Sequence, residues 1–366
     1  MKVNQLKAGV MLSYLTMFLS TGISIVYTPM MLSLLGQSEY GLYQLVASVV
    51  SYLSLLTLGF GGAYVRFYSR YKVNNDENSI AKLNGMFLTA FSIIGVVALL
   101  CGGVLTANIE NIFSKSLTSS EIDIARILMV ILVINIGISM PASVFNSYIT
   151  ANERYFFQKI LGLIKTLTNP FLMIIVLLMG FGSIGMVVVT TTLNIIFEIA
   201  YVIYAFKKLN MEINFKGFDF SLLKEIAVFS SFIFINIIVD QVNWSVDKFL
   251  LGMYQGTAVV AIYAVGAQIN TYYLSFSTAI SGVFVPKVNK IVAKANDNKE
   301  LTNLFTRVGR IQFAVLMLIL SGFFIFGEVF VKMWAGSEYL DAYKIALILI
   351  IPVTLPLIQN IGIEIQ

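Results

Sequence analysis

Four side chains on one helical face carry the most chemistry in this sequence. Asn236, Asp240, Asn243 and Asp247 are spaced i, i+4, i+7 and i+11, which puts them on one side of an α-helix. They lie within an apolar run, where an ionisable group costs roughly 2.5–3.5 kcal/mol at a helix centre on insertion scales. The face therefore fits a watery cavity, where it can hydrogen-bond hydroxyls, and Asp240 near mid-depth can bind a coupling Na⁺ or H⁺. It also fits interhelical polar packing, with Asp247 and Lys248 snorkelling to an interface. Lys165 lies two turns into another apolar run, and Glu198 lies at similar depth in the next. The two suit an ion pair, or Lys165 suits a fixed cation facing a cavity. Asn169-Pro170 follows one turn later, where proline frees a backbone carbonyl and can kink the helix. Arg66 and Arg70, at i and i+4, fit contact with an anionic headgroup or the usual clustering of positive charge at cytoplasmic helix ends. Asn135, Ser139, Ser143, Asn146 and Thr150 stripe a further run that contains Pro141. Another run carries Gln268, Tyr272 and Ser275 on one face and Asn270, Ser277 and Ser281 on a second. Small polar residues serve close helix packing as readily as a lumen; together these stripes suit a large hydrophilic lumen.

The elements that must position these residues follow from composition. Of 366 residues, 58% are hydrophobic and 12% charged, and the mean hydropathy is +0.85. Soluble domains are nearer ~45–50% apolar and ~25% charged. A water-soluble globule is excluded, as are disorder, collagen and coiled coil. The chain reads as an all-α polytopic membrane protein, because the apolar runs are long enough to cross ~30 Å of hydrocarbon. One cysteine, Cys101, allows no intrachain disulfide or thiolate metal cluster, and the absence of histidine removes the Ser-His and Cys-His nucleophile pairs. No catalytic residues, metal site or cofactor are expected beyond the coupling ion, and the net charge of +5 is no nucleic-acid footprint.

Ten spans are expected, at roughly 8–35, 41–65, 84–106, 124–150, 158–180, 183–206, 225–251, 257–285, 311–332 and 343–362. The first is long enough to be a retained span rather than a cleaved signal. With the N-terminus cytoplasmic, 18 Lys and Arg fall in inner loops and four (Lys115, Arg126, Lys332, Lys344) in outer ones, which fixes that orientation by the positive-inside rule. The basic run from Lys287 to Arg310 is expected to lie along the inner surface. Gly59, Gly61 and Gly62 lack the strand context of a phosphate cradle and suit close helix packing. A faint repeat at an offset of 220 pairs Gly36, Tyr43, Ala47 and Asn78 with Gly256, Tyr263, Ala267 and Asn298, as in parallel-repeat transporters. The expected organisation is an N-terminal lobe of six helices over 1–215 and a partial C-terminal lobe of four over 216–366. If the repeat holds, the chain is C-terminally truncated by at least two spans.

Three stretches point further. Leu35-Gly36-Gln37-Ser38-Glu39-Tyr40-Gly41-Leu42-Tyr43 links the first two spans. Gly59-Phe60-Gly61-Gly62-Ala63-Tyr64-Val65-Arg66-Phe67 closes the second. Val246-Asp247-Lys248-Phe249-Leu250-Leu251-Gly252 closes the seventh. Their order and spacing resemble the polysaccharide-exporter branch of the multidrug/oligosaccharidyl-lipid/polysaccharide superfamily, nearest to the Wzx-like O-antigen and capsule repeat-unit flippases. The resemblance covers essentially the whole chain. It implies a two-lobe architecture like that of the multidrug exporters (MATE), with the second lobe incomplete here. It implies flipping of undecaprenyl-pyrophosphate-linked oligosaccharide from the inner to the outer leaflet of a bacterial cell membrane, by alternating access. Polysaccharide polymerase and chain-length proteins are the implied partners beside the bilayer itself. The substrate-contacting set is then Asn236, Asp240, Asn243, Asp247, Lys248, Lys165, Gln268 and Asn270, with Lys165 facing the pyrophosphate. Arg66 and Arg70 receive the headgroup, and Asp240 couples the ion. The alternative is a multidrug or cation antiporter of the same superfamily. A membrane glycosyltransferase or polymerase fits less well, because the longest outer loop, about 107–123, is short and holds only Glu110, Lys115, Glu121 and Asp123.

Overall fold

The computed structural model describes residues 5–57, 60–216, 220–293 and 298–362. Lys2, Gly59, Lys294 and 363–366 lie outside the described residues, as do the side chains of Lys7, Phe60, Lys290 and Asn298. Among the described residues there are twelve α-helices and no strand. They are α1 (Gln5–Leu35), α2 (Gln37–Ser51), α3 (Phe60–Val73), α4 (Glu77–Ala107), α5 (Ile109–Phe113), α6 (Ser119–Ala151), α7 (Tyr155–Leu178), α8 (Gly182–Leu209), α9 (Phe220–Gln255), α10 (Thr257–Ala293), α11 (Asn298–Trp334) and α12 (Ala342–Ile358). In hydrocarbon every backbone N–H and C=O must pair within the segment, so apolar runs of this length have helix as their outlet.

Except for the second, each expected span coincides with one helix, but not every helix is equally apolar. Among the described residues, seven segments are long and apolar enough to cross a membrane, and eight if α9, bent by 41° between Ser231 and Ile233, is taken as one span. The protein is a multi-pass membrane protein on this ground. Two expected spans fall short of that measure. Helix α10 is diluted by Gln268, Asn270, Ser275, Ser277 and Ser281, and α12 has 17 residues. The expected second span is α2 and α3 joined by a 3₁₀ turn, Tyr52–Thr57.

Helix ends follow local chemistry. The Asp76 carboxylate caps α4, accepting from the Ser79 amide at 3.0 Å. Those hydrogen bonds, the one from the Ser79 hydroxyl first, hold the Asp76 carboxyl below its ordinary range. Thr118 and Glu121 form a reciprocal capping box on α6. Gly36 and Gly256, the first pair of the faint repeat, sit at φ 75° and 85° directly before α2 and α10. Both occupy the left-handed region that glycine reaches without cost.

The chain forms two compact units, Met1–Val260 and Ala261–Gln366. This boundary and the expected lobe boundary near 215 differ by α9, which packs with the first unit. In that unit α6 is central, touching α2, α3, α4 and α8. Gly95 and Gly137 let α4 and α6 approach so closely that a Cβ on Gly95 would lie 2.7 Å from the Gly137 carbonyl oxygen. One core at the Arg66 end gathers Tyr64, Phe67, Phe87 and Tyr148. Asn84 is fully buried there and satisfied, accepting from the Tyr64 hydroxyl at 2.5 Å and donating to the Glu212 carbonyl at 2.7 Å. A second core near the other end gathers Leu45, Val49, Phe113 and Leu128.

The second unit is held by polar as well as apolar contacts. The Ser277 hydroxyl donates to the Leu357 carbonyl at 3.0 Å, and the Gln312 amide donates to the Ser277 carbonyl at 3.2 Å. Tyr273 and Thr354 share a hydrogen bond at 2.9 Å. Carbonyls in the last turn of a helix have no partner within it, so Ser277 supplies one for α12. Ser277 and Ser281, expected to line a lumen or to pack, are buried and pack.

Candidate functional site

Helix α9 carries two polar faces, and only the first was singled out in the sequence. Asn236, Asp240, Asn243 and Asp247 are all exposed. Among the described residues Asp240 has no hydrogen bond or ion pair, while Asn236 and Asp247 each make an interaction. The second face, Gln241, Ser245 and Lys248, meets α2. Lys248 Nζ donates to Gln44 Oε1 at 3.0 Å, and Gln44 Nε2 donates to the Tyr40 hydroxyl at 3.0 Å. One turn and more inward, Gln241 Nε2 donates to Ser51 Oγ and Ser245 Oγ at 2.5 and 2.7 Å. A Cβ on Gly252 would overlap Leu45, so the two helices touch closely at that end. Lys248 is thus part of the α2–α9 contact and does not share the Asp240 face. Gln44 and Ser51 lie i and i+7 on α2, a helical spacing that could have flagged them.

At the opposite end of α9 an open cleft of about 620 Å³ lies against α3, lined by Arg66, Lys224, Glu225 and Phe229 among others. The Arg66 guanidinium sits 4.5 Å from the centroid of the Phe229 ring, a cation–π stack that orients it. Arg70 pairs with Glu225 at 3.4 Å, both side chains being more than half exposed. A pair so exposed is worth little, yet it leaves Arg66 and Lys224 as the cations of the cleft. Sequence spacing picked out Arg66 and Arg70, and the structure gives them separate roles; Lys224 was missed because it is far away along the chain.

A second cleft, of about 310 Å³, lies between α1 and α7. Lys165 and Asn169 line it with Thr166 from α7, and Ser20, Ser24 and Tyr27 face them from α1. The α1 residues recur at i, i+4 and i+7, a stripe the sequence held but that drew no notice beside charged residues. Lys165 and Glu198 interact electrostatically but form no ion pair within 4 Å, which corrects the expectation that they pair directly. The Glu198 Oε2 is buried without a hydrogen-bond partner. Asn194, one turn earlier, donates to Asn135 at 3.3 Å. The polar stripe of α6 is divided among its neighbours: Asn135 meets α8, while Asn146 and Thr150 accept from Gln158 Nε2 of α7 at 2.6 and 2.8 Å, and Ser143 donates to the Met140 carbonyl of its own helix.

In the second unit, described by itself, Gln268 is half-buried and Asn270 buried. The Asn270 Oδ1 has no hydrogen-bond partner. The structure brings Gln268 and Asn270 onto one helix, but it does not place them on one surface.

The solved structures that share this architecture are transporters. A structure described as "Lipid II flippase MurJ, inward closed conformation" matches with a TM-score of 0.73 at 15% identity, covering 97% of this chain and 74% of that one. An inward-facing multidrug resistance MATE family transporter of the MOP superfamily matches with a TM-score of 0.66 at 14% identity, covering 95% and 81%. A MOP superfamily transporter from Pyrococcus furiosus, described as having a binding pocket of reversed polarity, matches at 0.56 and 15%, covering 98% and 84%. At these identities the likeness establishes the fold, that of the MOP transporters. No curated protein matches the sequence. The family described as "Polysaccharide biosynthesis protein" matches over residues 6–292, and the chain belongs to that family.

Proposed function

We propose that this protein carries lipid-linked oligosaccharide across the bacterial cytoplasmic membrane for surface polysaccharide assembly, such as O-antigen or capsule. The carrier lipid is undecaprenyl pyrophosphate, and movement runs from the inner to the outer leaflet by alternating access. One observation carries the reading: Asn236, Asp240, Asn243 and Asp247 form an exposed polar face along α9, whose two bent parts together are long and apolar enough to cross a membrane. A carboxylate on such a helix is costly against lipid, so the face requires a water-filled path. Amide and carboxylate groups along that path match sugar hydroxyls, which donate and accept. The cleft at Arg66 and Lys224 supplies cations for the phosphates at the basic, cytoplasmic end, and Lys165 offers a second cation deeper in the same unit. In the second unit, taken by itself, half-buried Gln268 offers an amide to sugar hydroxyls, whereas Asn270 is buried. Asp240, uncommitted to any partner, is the coupling site for Na⁺ or H⁺.

The protein acts in this reading as a transporter and not as an enzyme, with the polysaccharide polymerase and chain-length proteins as downstream partners. The test is deletion of the gene with complementation. Loss of surface polysaccharide, with undecaprenyl-linked repeats accumulating on the inner leaflet, supports the reading. Unchanged polysaccharide together with new sensitivity to cationic drugs would replace it with a multidrug antiporter.

A further inference from the structure

We propose that the groove between α4 and Phe215 is a binding site for an anionic glycerophospholipid of the bilayer. The site lies outside the transport path of the flippase reading and does not depend on it.

A short strap of chain makes the groove. After α8 ends, residues 210–216 run across the early turns of α4 and are fastened there. The Asn214 amide donates to the Ala81 carbonyl at 2.9 Å, and Asn84 Nδ2 donates to the Glu212 carbonyl at 2.7 Å. Gly85 allows the approach, since a Cβ there would run into the Asn214 carbonyl. Met211 of the strap is buried in the core with Tyr64 and Phe87. Phe215 is not: it is 64% exposed and forms one wall of a groove of about 460 Å³. The other wall is a face of α4 that includes Thr89, Ser92, Ile93 and Val96. Phe91, Gly95 and Ala98, on the opposite face, are buried. Helix α4 is long and apolar enough to cross a membrane, so the groove opens toward hydrocarbon. An unfilled void there forfeits dispersion contacts, and a lipid chain fills it. The polar groups along the groove decide which lipid.

Those groups come in a definite order. Lys82, Thr89, Ile93 and Val96 recur at i, i+7, i+11 and i+14, one stripe of α4 with Ser92 beside it. At the basic end, Lys82 and Lys216, the latter next to Phe215, are exposed. Among the described residues neither ammonium makes a hydrogen bond or an ion pair. The neighbouring acids are engaged elsewhere: Asp76 caps α4, and Glu77 pairs with Lys72 at 2.8 Å. Glu212 is the one acid of the strap, and two cations outweigh it. Ser92 is the next level. Ser13, Thr16, Thr89 and Thr106 each donate to the carbonyl four residues earlier. Ser92 makes no hydrogen bond among the described residues, and a hydroxyl against hydrocarbon without an acceptor is costly. Further along, Ile93, Val96 and Val97 offer only apolar surface. Cations, a hydroxyl donor and an apolar groove follow the order of phosphate, ester carbonyl and acyl chain. A polyprenyl phosphate has no ester between phosphate and chain, so Ser92 favours the glycerophospholipid. Bound there, the lipid covers Phe215 and steadies the strap that leads from α8 toward α9.

The test uses the full chain in detergent micelles, titrated with phosphatidylglycerol, phosphatidylcholine or undecaprenyl phosphate and read by native mass spectrometry. Phosphatidylglycerol is expected to bind tightest. Lys82→Gln and Lys216→Gln are each expected to weaken it by about fivefold and to leave phosphatidylcholine unchanged. Ser92→Ala is expected to weaken both phospholipids by about fivefold and to leave undecaprenyl phosphate unchanged. Ile93→Trp fills the groove from a lipid-facing position and is expected to abolish the phosphatidylglycerol adduct. Should Ile93→Trp fail to fold, Val96→Phe on the same face must have the same effect. Equal binding of the two phospholipids, indifferent to both lysines, means ordinary surrounding lipid and overturns the proposal. Undecaprenyl phosphate that outcompetes phosphatidylglycerol, with no response to Ser92→Ala, gives the groove to the carrier lipid and also overturns it. So does phosphatidylglycerol binding that survives a filled groove, or no adduct in the wild type. None of these outcomes touches the flippase reading, which surface polysaccharide in the deletion strain decides.

Discussion

Replacing Asp240 separates a water-lined path from a lipid-facing accident. Asp240 is exposed near the middle of α9 and has no hydrogen bond or ion pair among the described residues. Its substitution therefore removes no contact within the protein. If the face sees water, Asp240→Asn and Asp240→Leu should each change stability by less than about 0.5 kcal/mol, as exposed sites generally do. If the face sees lipid, Asp240→Leu removes an insertion cost of roughly 2.5–3.5 kcal/mol and adds roughly 0.3–0.6 kcal/mol of favourable transfer. The gain would then be roughly 3–4 kcal/mol. Reversible unfolding of the purified protein in mixed micelles resolves the two cases easily. The functional readout is surface polysaccharide at matched protein level, which should fall in both variants. A stabilisation near 3 kcal/mol in Asp240→Leu, or full export by Asp240→Asn, would refute the reasoning that puts this face on the transport path.

Three further outcomes follow from other contacts. The Glu39 carboxylate accepts from the Ser183 amide at 2.6 Å at the N-terminus of α8, so Glu39→Ala should cost about 2 kcal/mol; Glu39→Gln should cost less, as seen by thermal unfolding in detergent. Gly252→Ala forces a Cβ into Leu45, and the overpacking should destabilise by about 1–3 kcal/mol, with polysaccharide export falling if α2 and α9 must stay in contact during the cycle. The Asp76 carboxyl is held below its ordinary range by Ser79, so its contribution is complete above the unfolded-state value and is lost as pH falls through the lower folded-state value. Acid unfolding curves of Asp76→Asn should accordingly be flatter on the acid side than those of the wild type, and identical slopes would remove the cap from the account.

Much of the architecture was legible because a bilayer leaves few choices. Among the described residues the apolar runs that the sequence marked are helical, the second broken by a 3₁₀ segment at Tyr52–Thr57, since a backbone in hydrocarbon must satisfy its own polar groups. Span number was less legible. Polar dilution in α10 and the shortness of α12 are visible in the sequence, but whether such helices cross depends on what covers them. The Asp240 face was legible from i, i+4, i+7 spacing. Its neighbour, the Gln241, Ser245 and Lys248 face, has the same spacing, but its pairing with α2 was not legible, because Gln44 and Ser51 stand some 190 to 204 residues away along the chain.

The sequence by itself determined the class of molecule and its helices, in so far as these depend on composition and on spacing within one helix. Those are local properties, set by hydrocarbon thickness and the 3.6-residue period. Which polar groups are consumed by packing was decided by tertiary structure. Ser277 feeds the Leu357 carbonyl, Arg70 is taken by Glu225, and Lys248 is bound to Gln44. Lys165 and Asp240 are left without such partners among the described residues. Pairing of this kind depends on which helix faces meet, and that is settled by shape at sites such as Gly95, Gly137 and Gly252, where the absence of a side chain lets one helix reach another.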